Sequence, residues 1–271
     1  VKKNNISALG FGFVDPVYLG EGENEYSVRF SQQKKSKKYR SLTAVERATL
    51  LANNNYCSDW DLVQVTDTFL AAQIINTKFY GLVRIGEMSS SSLEYRDLEL
   101  PTGIYNSTII SSDIGDDVAI HNVRYLAHFI IGDAVIISCV NEMETSAVAK
   151  FGNGLVKEGE SESVRVFLEL CNENGGRAVI PFDGMQATDA YLCTRFRADE
   201  ELQQRFKALT ENQFSAKRGY YSVIGDNAVI KNITSVNNTA DSAGGSVYVI
   251  GNNTLVENGL FAYNTAPQGG A

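Results

Sequence analysis

The sequence has no apolar run approaching the ~20 residues that span a bilayer, so no membrane span is expected. Its start, Val1-Lys2-Lys3-Asn4-Asn5, leads into no hydrophobic segment of a signal peptide. A cytoplasmic chain is the expectation. It also lacks an initiator Met and stops at Gly269-Gly270-Ala271 inside a repeat pattern, from which missing sequence at both ends is expected. Among its four cysteines, Cys57, Cys139, Cys171 and Cys193, no two stand at CxxC spacing. That argues against a zinc or thiol-redox site and for free, buried thiols. There are only two histidines, His121 and His128, a poor ligand set without a neighbouring cysteine pair, so no metal site is expected. No serine nucleophile elbow, GxGxxG or HExxH string occurs, which removes support for nucleophilic hydrolases, dinucleotide oxidoreductases and zincins. Positive charge is in deficit too: 24 Lys and Arg against 32 Asp and Glu leave a net charge of −8. No large nucleic-acid footprint fits that balance, although a local basic site for an anionic ligand does.

What the sequence does have is a repeat. Ile114-Gly115-Asp116-Asp117-Val118-Ala119-Ile120 recurs as Ile131-Gly132-Asp133-Ala134-Val135-Ile136-Ile137 and as Ile224-Gly225-Asp226-Asn227-Ala228-Val229-Ile230. Weaker copies are Ile250-Gly251-Asn252-Asn253-Thr254-Leu255-Val256 and Phe151-Gly152-Asn153-Gly154-Leu155-Val156-Lys157. The physical reading is a triangular parallel β-helix in which apolar lead residues stack inward coil upon coil. Gly and Asp or Asn would then occupy corners where the left-handed region is useful. A single coil cannot bury its own face, so stacking supplies the core.

Elsewhere the elements are ordinary. The run Lys34-Lys35-Ser36-Lys37-Lys38 reads as a solvated linker, or as a nucleotide-phosphate or membrane-surface patch. Thr43-Ala44-Val45-Glu46 is a capping-box pattern and predicts a helix through Ala52. Trp60, Leu62, Val63 and Val65 predict a short strand, and Phe79–Ile85 another. Over 183–218, Leu192/Phe196 and Leu202/Phe206/Leu209 stand at helical spacing, and Glu201 can pair with Arg205. The domain reading is an N-terminal extension and small α/β cap over 1–100, then the repeat region over 101–271, interrupted by a helical insertion at about 183–218.

Candidate chemistry lies where the repeat is broken. His121 and His128 flank Asn122-Val123-Arg124-Tyr125, and either imidazole could serve as a general base; the competing reading is a structural or solvated histidine. Cys171-Asn172-Glu173-Asn174-Gly175-Gly176-Arg177, followed by Pro181-Phe182-Asp183-Gly184, is the densest polar cluster. Arg177 there could clamp an anion and Glu173 and Asp183 could act as acids or bases, or the whole could be a self-bonded turn. Lys150-Phe151-Gly152-Asn153-Gly154 could cradle phosphate, though its glycines equally serve corners. Lys217-Arg218-Gly219-Tyr220-Tyr221 could offer cations and stacking aromatics to a nucleotide, or could simply end a helix.

These strings carry a resemblance. The Ile-Gly-Asp copies resemble the hexapeptide-repeat, left-handed β-helix proteins, a superfamily rich in acyl- and acetyltransferases that includes the β-helix domains of sugar nucleotidyltransferases. More narrowly, the chain resembles an uncharacterised bacterial family of larger proteins from Bacteroides-type bacteria and spirochaetes, a domain of unknown function. The match runs from about Tyr39 to the end. Phe79-Tyr80-Gly81, His121-Asn122-Val123-Arg124-Tyr125-Leu126, Lys150–Gly154, Asn172–Arg177, Pro181-Phe182-Asp183-Gly184-Met185 and Lys217–Tyr221 carry it. The resemblance implies a mainly β fold, a left-handed parallel β-helix of hexapeptide-repeat type with an N-terminal α+β cap and the helical insertion. It implies a transferase moving an acyl group onto a sugar or sugar-nucleotide acceptor, with acyl-CoA as co-substrate in a homo-oligomer, a trimer being favoured. His121 would be the base, with Glu173 and Asp183 beside it. Arg124, Lys150, Asn153, Asn172, Asn174, Arg177, Lys217, Arg218 and Tyr220 would hold ligand. The alternatives are a non-catalytic binding or assembly protein and an accessory domain of a sugar nucleotidyltransferase. The helical excursion departs from typical members of the superfamily.

Overall fold

The computed structural model describes residues 1–33, 37–147, 154–170, 175–213, 219 and 221–231, and the backbone of strands Thr234–Val236, Thr254–Leu255 and Leu260–Ala262. Two compact units emerge. The first comprises 1–13, 31–146 and 221–271, the second 14–30 and 147–220.

The first unit grows from the Ile-Gly-Asp strings. Ile114, Ile131 and Ile224 each end a short strand in a shared parallel sheet. The next residue, Gly, is where stacked turns come closest. A Cβ on Gly115 would lie 2.1 Å from the carbonyl oxygen of Gly132, and one on Gly132 would lie 2.6 Å from the amide nitrogen of Asp226. The Asp that follows reaches back along the stack. Asp116 Oδ1 accepts from the amide of Glu87, Asp133 Oδ1 from that of Asp116, and Asp226 Oδ1 from that of Asp133, each at 2.8 Å. The left-handed position is the residue after Asp: Asp117, Ala134 and Asn227 have φ of 47°, 53° and 60°. Gly and Asp or Asn were expected at such corners: Asp117 and Asn227 take the left-handed conformation, while the Gly of each string supplies close approach.

Three sheets result. The first orders Arg40–Ser41, Val63–Val65, Val83–Ile85, Asp113–Ile114, Phe129–Ile131 and Ser222–Ile224. The second holds Tyr56–Cys57, Lys78–Tyr80, Thr108–Ile110 and Leu126–Ala127. The third holds Ile74–Ile75, Gly103–Tyr105, Ala119–His121, Ile136–Ser138, Val229–Lys231 and Thr254–Leu255. All these neighbours pair in parallel except Arg40–Ser41, which is antiparallel to Val63–Val65. From Tyr56 onward the chain visits second, first and third sheets in turn. Strand residues alternate in facing. Ile74, Ile104, Ile120, Ile137 and Ile230 are in register on the third sheet and sit in the core with Phe79, Ile109 and Leu126 of the second and Val63, Val83, Ile85 and Ile131 of the first. Each such side chain contributes roughly 1.5–3 kcal/mol by leaving water.

One end of this array is covered by α2 (Ala44–Ala52), following α1 (Glu25–Gln32) in the chain. Its capping box is formed: the Glu46 amide donates to Thr43 Oγ1 and the Thr43 amide to Glu46 Oε2. Leu50 enters the core. Buried Asn55 ties the helix end down, donating to the carbonyls of Leu50 and Ile74 while its Oδ1 accepts from the Thr77 amide. Trp60–Leu62 forms a 3-10 turn, so the strand predicted from Trp60 begins at Val63. Gly81, at φ 62°, divides the stretch Phe79–Ile85 into two strands on different sheets.

The second unit contains α3 (Ala187–Arg195), α4 (Glu200–Gln213) and an antiparallel pair, Leu168–Glu169 with Ala178–Val179. Val179, Cys193 and Phe206 form its core. Arg165 is buried against Glu162, Glu211 and the Gly154 carbonyl, and the Glu201–Arg205 pair forms on α4.

The expected class is therefore corrected. The structure is a mixed α/β arrangement with several parallel sheets, not a mainly β, left-handed hexapeptide-repeat β-helix beginning near residue 101. Parallel pairing already runs from Tyr56, an antiparallel strand and the hairpin Ser92–Tyr95/Leu98–Pro101 join it, and the described residues of the chain include four α-helices. The in-register isoleucines Ile74, Ile104, Ile120, Ile137 and Ile230 keep no constant interval, as a hexapeptide repeat would require. The Gly-Asp strings misled because they mark close approach at one turn; earlier strands pair in parallel without them. The likeness to hexapeptide-repeat acyltransferases loses its structural support with it.

Two smaller expectations change as well. Lys37 is no solvated linker residue: its Nζ lies 2.7 Å from Asp116 and 2.8 Å from Asp133, while Lys34–Ser36 fall outside the described residues. Cys57 and Cys193 are free and buried as expected, but Cys139 is exposed; Cys171 lies outside the described residues. Among the described residues no helix is long and apolar enough to cross a membrane.

Candidate functional site

Because Ile120 points inward, its neighbour His121 must point out. Register places Tyr105, His121, Ser138 and Lys231 side by side on adjacent strands of the third sheet, with Ile75 beyond Tyr105. The row lies at the strand ends on the side away from the isoleucine core; Tyr105 and His121 are half-exposed and Lys231 exposed, but Ser138 is buried.

His121 is held on two sides. Its Nε2 lies 2.9 Å from the carbonyl oxygen of Pro101. A carbonyl can only accept, so Nε2 carries the proton and Nδ1 keeps its lone pair. The ring packs on that of Tyr105, centroids 4.5 Å apart and tilted by 45°. Partial burial pushes the imidazole pKa below its ordinary value of 6.5, the Pro101 contact opposing this in part, so the ring is neutral at pH 7. Burial also pushes the Tyr105 phenol up; its hydroxyl donates to Gln73 Oε1 at 2.8 Å.

Local sequence explains the geometry. The hairpin turns at Arg96, with φ 59°, and Pro101 ends its second strand. Thr102 is fully buried and anchored to the carbonyls of Ser89 and Ser91. Gly103, at φ 128°, is obligatory: a Cβ there would lie 2.2 Å from the Gln73 carbonyl oxygen and 2.8 Å from the Tyr105 ring. Together these steer the Pro101 carbonyl onto His121.

Beside the row runs a ladder of amides. Asn54, Asn76, Asn106 and Asn122 all adopt left-handed φ, from 51° to 58°, a conformation Asn tolerates better than most residues. Asn54 Nδ2 donates to Asn76 Oδ1, Asn76 to Asn106 and Asn106 to Asn122, at 2.8, 2.9 and 3.0 Å. The ladder then meets Cys139, also left-handed at φ 56°, whose sulfur lies 4.0 Å from Asn122 Nδ2.

The remaining sequence candidates divide. Arg124 is exposed in the first unit, three residues beyond His121, its amide donating to the Val140 carbonyl. Its companion His128 is a left-handed turn residue, φ 66°, stacked on Phe13 at 4.1 Å. Arg177 and Asp183 belong to the second unit. Arg177 is half-buried and its carbonyl accepts from the Leu170 amide. Asp183 is exposed, and both its backbone groups bond the side chain of Gln213. Lys150, Asn153, Asn172, Glu173, Asn174, Lys217, Arg218 and Tyr220 lie outside the described residues. Among the described residues no group of three or more His, Cys, Asp or Glu could hold a metal ion.

Tyr105, Asn122, Ser138 and Lys231 were not singled out from sequence, yet a signal existed. His121, Ser138 and Lys231 each immediately follow one copy of the seven-residue repeat. Extending the alignment of copies by one residue reads off the row.

The family described as "Domain of unknown function (DUF4954)" matches residues 39–268. A protein of Treponema pallidum (strain Nichols), described as "Uncharacterized protein", is 40% identical over 244 residues, covering 90% of this chain. The chain spans about a third, 34%, of that relative's length. No solved structure matches.

Proposed function

Because the chain belongs to the DUF4954 family, whose description assigns no chemistry, we propose that the third sheet carries a group-transfer site acting on a hydroxyl of a sugar-type acceptor. His121 is the general base. The observation that carries this is the Nε2–Pro101 contact, which fixes one tautomer and presents Nδ1 as a base on a half-exposed imidazole.

Nδ1 takes the acceptor proton as the hydroxyl oxygen attacks the electrophilic centre of an activated donor. The bond to the donor's leaving group breaks with its electron pair, and the imidazolium returns its proton to that group or to solvent. The lowered pKa suits this, since the base is already neutral at physiological pH. The Tyr105 ring gives the apolar face of a sugar a surface to lie on, and the Tyr105–His121 packing limits rotation of the base.

A thermal-shift screen of CoA thioesters against nucleotide sugars identifies the donor, a ligand at a hundredfold excess over its Kd stabilising by about 2.7 kcal/mol. With that donor, His121→Asn is expected to lower kcat by roughly 10²–10⁴ with little change in Tm. Full turnover in the variant would refute the assignment.

A second reading, a binding surface without chemistry, is favoured by the regular amide ladder beside the row. It predicts ligand stabilisation with no turnover in the unaltered chain.

A further inference from the structure

Residues 37–41 lie across the first sheet. At one end Arg40 and Ser41 pair with Val65 and Gln64. Tyr39 comes next, its ring 4.6 Å from the guanidinium of Arg84 on the neighbouring strand, Val83–Ile85. At the other end Lys37 Nζ bridges the turns that follow the two strands beyond, 2.7 Å from Asp116 and 2.8 Å from Asp133. The run thus reaches four successive strands of the sheet.

Charge explains this course. Glu87, Asp116, Asp133 and Asp226 stack at one turn position, where the carboxylate of each of the last three accepts the amide of the one before. Asp67 stands two residues beyond Val65 as Glu87 does beyond Ile85, its partner in register. Successive turns are about 5 Å apart, and like charges at that separation repel. Lys37 sits between two of these carboxylates, and Arg40 Nε donates to Asp67 Oδ1 at 3.0 Å.

What the run covers is polar as well. Val83, Ile85 and Ile114 face the core, so Arg84 and Asp113, partners in register, face away from it. The two form an ion pair and are buried, at 6% and 1% exposure. Burial of such a pair adds little net stability, because desolvation offsets its attraction. Among residues 37–41 none belongs to the core cluster; Leu42 is the first to pack against it. Lifting the run therefore breaks polar ties and uncovers one aromatic ring and one ion pair, but no core side chain.

We propose that residues 37–41 are a strap, held shut by the charges of Lys37 and Arg40 on the carboxylate column, and that it opens locally to bare the Arg84–Asp113 pair. Ionic strength grades the opening, since the Debye length falls from about 10 Å at 0.1 M salt to about 3 Å at 1 M. The sheet beneath stays formed because its valines and isoleucines pack on the opposite face. No residue of the His121 row takes part.

Amide hydrogen exchange read by mass spectrometry tests the strap, with residues 38–41 compared to the core strand Ala119–His121 and rates referred to an unstructured peptide of the same sequence. The strap amides are expected to exchange faster than the core strand, and to gain about threefold or more between 0.1 M and 1 M sodium chloride while the core strand does not. Lys37→Met speeds strap exchange by about tenfold or more at low salt and removes most of the salt response, whereas Lys37→Arg preserves both. Asp133→Asn, which keeps an Oδ1 acceptor for the Asp116 amide and loses the charge, acts like Lys37→Met. Phenylglyoxal labelling of Arg84 rises in step with strap exchange. Unchanged melting temperatures show that the variants fold, and the salt comparison needs no variant. Strap amides that exchange only at the rate of the core strand show opening by global unfolding alone and overturn the strap. Strap exchange indifferent to salt and to Lys37→Met overturns the electrostatic latch, and an Arg84 that stays unlabelled while the strap exchanges overturns the uncovering.

Discussion

Replacing Gly115 by Ala tests the packing of the Gly-Asp turns directly. The new Cβ would stand 2.1 Å from the Gly132 carbonyl oxygen and 2.3 Å from its carbonyl carbon. Both are backbone atoms, so no rotamer change relieves the clash, and the two turns must separate. Overpacking of this kind costs typically 1–3 kcal/mol. Separation also weakens the Asp133 Oδ1 bond to the Asp116 amide and the Ala134 amide bond to the Asp116 carbonyl, both 2.8 Å. At about 0.5–1.5 kcal/mol each, these bring the expected loss to roughly 2–6 kcal/mol. That is a large share of the 5–15 kcal/mol typical of a domain. Gly225 is the internal control, since among the described residues nothing lies within 4 Å of a Cβ built there and its φ is ordinary. Gly225→Ala is expected to be neutral, or stabilising by about 0.4–1 kcal/mol through the unfolded chain. Urea titrations of both variants, followed by far-ultraviolet circular dichroism, give the comparison. If Gly115→Ala and Gly225→Ala lie within about 0.5 kcal/mol of each other, the scatter of ordinary surface changes, the close-approach account of the repeat is wrong.

The amide ladder and the helix cap supply two more outcomes. Asn106→Ala loses a donor bond and an acceptor bond and places a Cβ-bearing residue without side-chain support at φ 51°; about 1–3 kcal/mol of destabilisation is expected, with Asn106→Gly recovering the conformational part only, as denaturation midpoints would show. Glu46 is held down to a pKa of about 2, chiefly by its bonds with Arg40 and opposed by desolvation. A depressed carboxylate stabilises the fold above its unfolded pKa, near 4.5, and the contribution disappears as pH falls through about 2. Because both side chains are partly exposed, about 1 kcal/mol is expected to be lost over that window, and Glu46→Gln should flatten the acid limb of a melting-temperature profile.

Local rules made some elements legible. Thr43 and Glu46 announced a helix start because capping depends on residues three apart. Leu202, Phe206 and Leu209 announced α4 because helical packing depends on a fixed period. The sheets were harder. Ile74 and Ile104 pair across an interval that includes a 10-residue hairpin, and Ile137 and Ile230 pair across residues 147–220 of the second unit. No periodicity survives such intervals, so the parallel array seemed to begin only where the Gly-Asp strings made it visible. Those strings in turn record a steric condition at one turn, and the strands before Gly86 meet it differently.

The same reasoning explains why the row at His121 was half seen. Histidine draws attention through its chemistry; Ser138 and Lys231 carry no such mark, and only register makes them its neighbours. Register is set here by the inward isoleucines, which fix the outward residue that follows each one. Exchange of Ile137 for another apolar residue therefore leaves the row in place, whereas a one-residue insertion between Gly132 and Ile137 turns Ser138 inward and removes it from the row. The repeat and the candidate site are thus one constraint: the turn that aligns the core strands also aligns an imidazole, a small buried hydroxyl and a cation at the strand ends.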